Sequence, residues 1–78
     1  MPIKKKLSEM QPGEKGTIID IIGDSTYVKR INDMGLIKRT KIEMVRNAPL
    51  KDPIEIIVRN YKLTLRKAEI EGIIVEIE

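Results

Sequence analysis

Neither cysteine nor histidine occurs in this chain of 78 residues, and phenylalanine and tryptophan are missing too, which leaves two tyrosines as its aromatics. The first two absences remove thiol nucleophiles, disulfides, imidazole bases and the usual ligand sets of zinc, haem and iron–sulfur clusters. Carboxylates remain as ligands for a hard cation such as magnesium, but such a site needs several oxygens converging on one point. Here 12 acidic residues are scattered among 15 basic ones, and no metal or cofactor site is visible. There is also no nucleophile, base and orienting group in combination, and no glycine-rich phosphate loop ending in Lys-Ser or Lys-Thr, so no enzyme is expected. Long apolar runs are lacking as well. Nothing approaches the roughly 20 residues needed to cross a bilayer, and the opening "MPIKKKLSEM" has no signal-peptide core, so the expected location is the cytoplasm.

What is present points to β structure. Hydrophobic residues make up 41% of the chain and are mainly isoleucine, a branched side chain that packs well on pleated sheets. A chain of this size forms one domain and buries roughly 60 to 65% of the surface that it exposes when unfolded. The net charge of +3, with both signs interspersed, suits a mixed polar surface at least as well as a nucleic-acid footprint.

Along the chain, residues 1–6 read as a basic, mobile lead-in, with Lys4 to Lys6 as a solvated end. Leu7 and Met10, at i, i+3 spacing, make an apolar anchor turn before Pro12-Gly13. "GTIIDIIG" is the first strand, bracketed by Gly16 and Gly23, with either Ile18 and Ile22 or Ile19 and Ile21 facing the core. Asp24 or Ser25 then caps a short helix whose Val28, Ile31 and Met34 fall on one stripe. Gly35 stands where a helix end needs positive φ, and Leu36 is placed to pack back on the last turn. "KIEMVR" is the second strand, with Ile42 and Met44 on one face and Lys41 and Glu43 on the other. "NAPLKDP" is a stiff connection, because Pro49 and Pro53 push Ala48 and Asp52 away from the α region. Ile54 to Arg59 is the third strand, Asn60-Tyr61 a tight reversal, and Lys62 to Leu65 the fourth strand. "RKAEI" gives a helical turn, and "IIVEIE" the last strand. The sum is an all-β domain with short helices: five mostly antiparallel strands curled into a small SH3-like barrel over residues 1–78. An OB-type barrel is the alternative, since strand order is not fixed by this pattern.

Three segments together resemble the FeoA family, the small cytoplasmic accessory proteins of ferrous-iron uptake: "PGEKGTIIDIIG", "RINDMGL" and "NAPLKDPIEIIVRNYKLTLRKAEI". The most specific part is Ala48-Pro49 with Asp52-Pro53, followed after a strand by Leu65-Arg66-Lys67. Three departures stand out. Lys38-Arg39 replaces the Pro-Gly often found after the family's Met-Gly-Leu, Asn60 stands where glycine is usual, and Ile70 where alanine is common. The resemblance implies an SH3-like barrel that acts by contact with FeoB, a membrane transporter with a cytoplasmic GTP-hydrolysing domain. It would be recruited to the inner face of the membrane without inserting into it, and no iron-binding residues of its own are visible.

The candidate contact surface comprises Arg30, Asn32 and Asp33 on the helix, Ala48, Pro49, Asp52 and Pro53 in the loop, and Arg66 and Lys67 at the final turn. The opposing, purely structural reading gives Arg30 to Asp33 as a balanced pair, Arg66 to Glu69 as an i, i+3 surface pair, and the prolines as stiffeners. Gly16, Gly23, Ile31, Met34, Gly35, Leu36, Asn60 and Leu65 are expected to serve the fold. Two other functions compete. Lys38, Arg39, Lys41 and Arg46 would make a basic stripe for RNA or DNA if they shared a face, although two tyrosines are few for base stacking. The chain also fits an isolated relative of the SH3-like domain of metal-responsive repressors, without their recognition-helix unit.

Overall fold

Isoleucine at alternate positions builds the sheet. In the computed structural model, which describes residues 3–47 and 52–78, β4 (Ile54–Val58) buries Ile54, Ile56 and Val58 on one side and turns Glu55 and Ile57 to the other. The remaining strands are β1 (Ile3–Lys6), β2 (Lys15–Ile21), β3 (Lys41–Asn47), β5 (Tyr61–Leu65) and β6 (Ile73–Ile77). One α-helix, α1 (Ser25–Asp33), lies between β2 and β3, and 3₁₀ turns span Leu7–Glu9 and Lys67–Glu69. Every pairing is antiparallel, in the order β1-β6-β2-β3-β4-β5.

All five expected strands are present, and the lead-in supplies a sixth. Ile3–Lys6 pairs with β6 from Ile3↔Ile77 to Lys6↔Ile74, so this basic segment is an edge strand. Alternation alone missed it because both of its faces are largely exposed: an edge strand can be held by ladder hydrogen bonds without burying a side chain. Its lysines also discourage further strands from adding there. The Leu7–Glu9 turn then drops Leu7 and Met10 into the core, both essentially inaccessible.

In β2, neither expected register holds throughout. The partners of β6 shift between Ile18↔Val75 and Asp20↔Ile74, so Ile19 is the extra residue of a β-bulge. The bulge resets the alternation, and Ile18 and Ile21, three apart, both face the core while Ile22 is 60% exposed. A second irregularity, between Met44 and Arg46 against β4, leaves Val45 as the extra residue. Such bulges bend and twist a sheet locally, which lets six short strands wrap around one core.

That core contains Leu7, Met10, Ile18, Ile31, Leu36, Met44, Ile56, Ile70 and Val75, each with almost no accessible surface. Burying one such side chain is worth roughly 1.5 to 3 kcal/mol. Ile70, the position where alanine was the familiar residue, is fully enclosed, so this core accommodates the larger group. Gly16 lies inside β2 rather than at its edge: a Cβ there would stand 2.9 Å from the Glu76 carbonyl oxygen of the neighbouring strand.

The β4–β5 reversal is one residue earlier than the sequence suggested. Val58 pairs with Tyr61, and the two turn residues are Arg59 and Asn60, with φ of 49° and 73°. Two successive left-handed residues define a type I′ turn, whose twist matches the strands that it joins. Asn60 suits this geometry and Arg59 does not, which is why the pattern pointed one position too far.

Candidate functional site

Helix α1 carries the first group of expected contact residues, and its ends are fixed by local chemistry. Of the two expected caps, Asp24 is the one used: its carboxylate accepts the Tyr27 backbone N–H at 2.8 Å. At the other end, Leu36 N–H reaches the Ile31 carbonyl at 3.3 Å and Gly35 N–H the Asn32 carbonyl at 2.9 Å. These two bonds, with Gly35 at φ +92° and Leu36 buried beside Ile31, form a complete Schellman motif. Of the expected stripe, Ile31 is fully buried, while Val28 and Met34 are half-buried against the core.

The two tyrosines brace this helix, a role the sequence did not reveal. The Tyr27 hydroxyl donates to the Glu69 carbonyl at 2.9 Å and accepts the Gly72 N–H at 3.1 Å, tying the start of α1 to the turn before β6. Its ring occupies space that a Cβ on either Gly23 or Gly72 would invade, so both glycines are needed for close approach. The Tyr61 hydroxyl donates to the Met34 carbonyl at 3.3 Å, tying the end of α1 to the start of β5. The helix is thus anchored at its start to the turn before β6 and at its end to the first residue of β5. A hint was available, since two polar-tipped aromatics in an aliphatic chain need hydrogen-bond partners when half-buried.

Arg30, Asn32 and Asp33 are all exposed on α1. Asp33 pairs with Lys29 at 3.4 Å rather than with Arg30, an i, i+4 contact at high exposure that contributes little. Arg30 has no ion pair among the described residues. Ala48 and Pro49 lie outside the described residues. Asp52 and Pro53, joined by a cis peptide, are exposed, as are Arg66 and Lys67. Here sequence-distant candidates meet: the Asp52 carboxylate accepts the Lys67 backbone N–H at 3.0 Å, and Ile54↔Leu65 pairing places Pro53 and Arg66 side by side. Glu69 turns its carboxylate to the Arg66 backbone N–H at 3.4 Å, not to the guanidinium. Because the Glu69 carbonyl also holds Tyr27, the loop cluster and the helix share one framework.

Exposed apolar groups flank the same helix. Ile22 precedes its cap, Ile37 follows its end, and Tyr61 contacts its last turn, at 60%, 43% and 42% exposure. Of these groups and the neighbouring Arg30, the tyrosine and the arginine are residue types enriched in protein contact surfaces. Of the four cations expected to make a basic stripe, Lys38, Arg39 and Lys41 are exposed. Lys38 turns to Asp20 at 3.7 Å, and the Arg46 side chain lies outside what is described.

A carboxylate away from the helix organises the start of the chain. Glu14 accepts the Gln11 backbone N–H at 2.6 Å and the Lys5 ammonium at 3.1 Å, linking β1 to the turn before β2. The backbone bond first, and the lysine second, hold its carboxyl below the ordinary carboxylate value.

Fold and surface together define a small SH3-like barrel with one braced surface helix. Residues 5–77 match the FeoA domain family, and the chain belongs to that family. It is 33% identical over 72 residues to the Fe(2+) transport protein A/Fe(2+) transporter FeoB fusion protein of Porphyromonas gingivalis, a match covering 92% of this chain and 8% of that protein. The chain thus spans a small fraction of that curated relative. The solution structure of an FeoA-like protein from Clostridium acetobutylicum superposes with a TM-score of 0.87 at 36% identity, covering 99% of this chain and 90% of that one. FeoA from Stenotrophomonas maltophilia, described as a procaryotic SH3 domain protein, shares the fold at 20% identity, with a TM-score of 0.75 over 91% of this chain and 88% of that one.

Proposed function

We propose that this protein is a non-enzymatic accessory of ferrous-iron uptake that works by binding the cytoplasmic part of an FeoB transporter. The observation that carries this reading is the relative in which a 33% identical stretch is part of one polypeptide with an Fe(2+) transporter. Joining two modules in one chain raises their effective concentration for each other, an arrangement that favours partners that touch. The contact surface is α1, with exposed Arg30, Asn32 and Asp33, together with the cluster of Asp52, Pro53, Arg66 and Lys67 to which Tyr27 links it. Its location is then the cytoplasm, at the inner face of the membrane.

The test is an NMR titration of the isotopically labelled chain with the isolated cytoplasmic domain of the transporter, and in parallel with the whole transporter in nanodiscs. Saturable shifts on α1, Asp52 and Lys67 are expected. A spectrum unchanged by both preparations at high partner concentration refutes the reading.

A further inference from the structure

A second surface lies on the outer face of the sheet. A shallow groove of about 350 Å³ opens there, bordered by Lys15 of β2, Lys41 and Glu43 of β3, Ile57 of β4, Arg59 of the hairpin turn and Glu78. Register explains the composition. Lys41 and Glu43 alternate with core-facing Ile42 and Met44, and Lys15 stands opposite Glu43, which stands opposite Ile57. Continuing the pairing Ile42↔Val58 by one step brings Lys41 opposite Arg59, and Lys62 of β5 stands opposite Ile57. Like charges facing each other across neighbouring strands repel. Neither Lys41 nor Arg59 has an ion pair among the described residues, and the same holds for Lys15 and Lys62. The sheet face therefore gathers four cations, Lys15, Lys41, Arg59 and Lys62, against two carboxylates, Glu43 and Glu78, around half-buried Ile57, with a positive balance.

We propose that this groove docks an extended acidic segment of a partner protein, one with a branched aliphatic side chain between its carboxylates. The aliphatic group covers Ile57 and the carboxylates meet Lys41, Arg59 and Lys15. In an extended chain, side chains on one face repeat about every 7 Å, so carboxylates on either side of the aliphatic group can reach the cations, with Glu43 the groove's opposing charge. A nucleic acid fits less well. Glu43 and Glu78 interrupt what a continuous phosphate backbone would need, and neither tyrosine lines the groove to offer stacking: Tyr27 is held by Glu69 and Gly72, and Tyr61 by Met34. The site is separate from the Asp52–Lys67 cluster. Arg59 and Asp52 flank opposite ends of β4, whose five residues span roughly 13 Å, so one chain can hold two partner segments.

The test uses the full chain, titrated at low salt with a capped peptide of the pattern Glu-Ser-Ile-Ser-Glu, which sets glutamate, isoleucine and glutamate on one face of an extended segment, its lysine counterpart, and an oligodeoxythymidine. The acidic peptide is expected to shift amide resonances at Lys15, Lys41, Ile57 and Arg59, with affinity falling as salt is raised. Replacing Lys41→Glu with Arg59→Glu should weaken it by roughly tenfold or more while the rest of the spectrum stays native, and Glu43→Gln should strengthen it. Three outcomes overturn the proposal: no shift at millimolar peptide, equal response to the lysine peptide, or response to the oligonucleotide alone.

Discussion

Replacing Arg39 by glycine should stabilise this protein. Arg39 sits at φ 76° in the turn between α1 and β3, where the Thr40 N–H bonds the Ile37 carbonyl at 3.2 Å. This is the third position of a type II turn, which requires positive φ and favours glycine. The turn cannot drift to a relaxed conformation, because the Arg39 N–H is held by the Ile18 carbonyl at 2.6 Å and the Thr40 carbonyl takes the Ile18 N–H at 2.9 Å. The side chain is exposed and has no ion pair among the described residues, so little is lost with it. A left-handed L-residue costs about 1 to 2 kcal/mol. Glycine returns about 0.4 to 1 kcal/mol through the greater freedom of the unfolded chain. The net gain is about 0.5 to 1 kcal/mol, which raises the melting temperature by roughly 3 to 6 °C in a domain of this size. Urea unfolding followed by circular dichroism measures it, with Arg39→Ala as the control that removes the side chain but keeps the strain. Arg39→Ala should lie within about 0.5 kcal/mol of the parent. If Arg39→Gly is no more stable than Arg39→Ala, the strain argument is wrong.

The two tyrosine braces should prove unequal. Tyr27→Phe removes two hydrogen bonds and should cost about 1 to 2 kcal/mol in chemical unfolding, whereas Tyr61→Phe removes one long, exposed bond and should cost less than about 0.5 kcal/mol. At the helix end, Gly35→Val should cost about 2 kcal/mol or more, because a Cβ there is both left-handed and 2.8 Å from the Tyr61 hydroxyl. Thermal melts of Gly35→Ala and Gly35→Val separate the backbone penalty, common to both, from the extra cost of branching. Glu14 predicts a pH effect. Its carboxyl titrates lower in the folded state than in the unfolded one, so its stabilisation is present above the ordinary carboxylate value and lost as pH falls through the folded value. Between about pH 5 and pH 3, Glu14→Gln should therefore lose stability less steeply than the parent, a difference that equal slopes would disprove.

Most of the architecture was readable in the pattern of isoleucines, because burial on one face of a strand imposes a period of two. What escaped that pattern did so for identifiable reasons. Ile3–Lys6 leaves no apolar signature because its place in the sheet rests on main-chain bonds to β6, a partner at the other end of the chain. The core-facing pair Ile18 and Ile21 breaks alternation through a bulge that depends on a neighbouring strand. The helix end was legible in Met34-Gly35-Leu36 because the Schellman motif is local. The contact between Asp52 and Lys67 was not, since it is a long-range bond to a backbone group that any residue at position 67 would offer. Likewise the groove over Ile57 exists through cross-strand register, and the sequence placed Lys41 with Lys38 and Arg39 rather than with Lys15 and Arg59.

The position of β6 has a consequence for how the molecule comes into being. It lies between β1 and β2, so the first strand of the chain has no partner until the last one is in place. The segment from β2 through β5, with α1, joins sequential neighbours and can assemble while the chain is still being made. The final strand must then enter between two segments synthesised long before it, closing the widest loop in the fold. Until β6 is in place, β1 and the flank of β2 that it covers are two open strand edges, so this one strand is the closure on which the sheet waits.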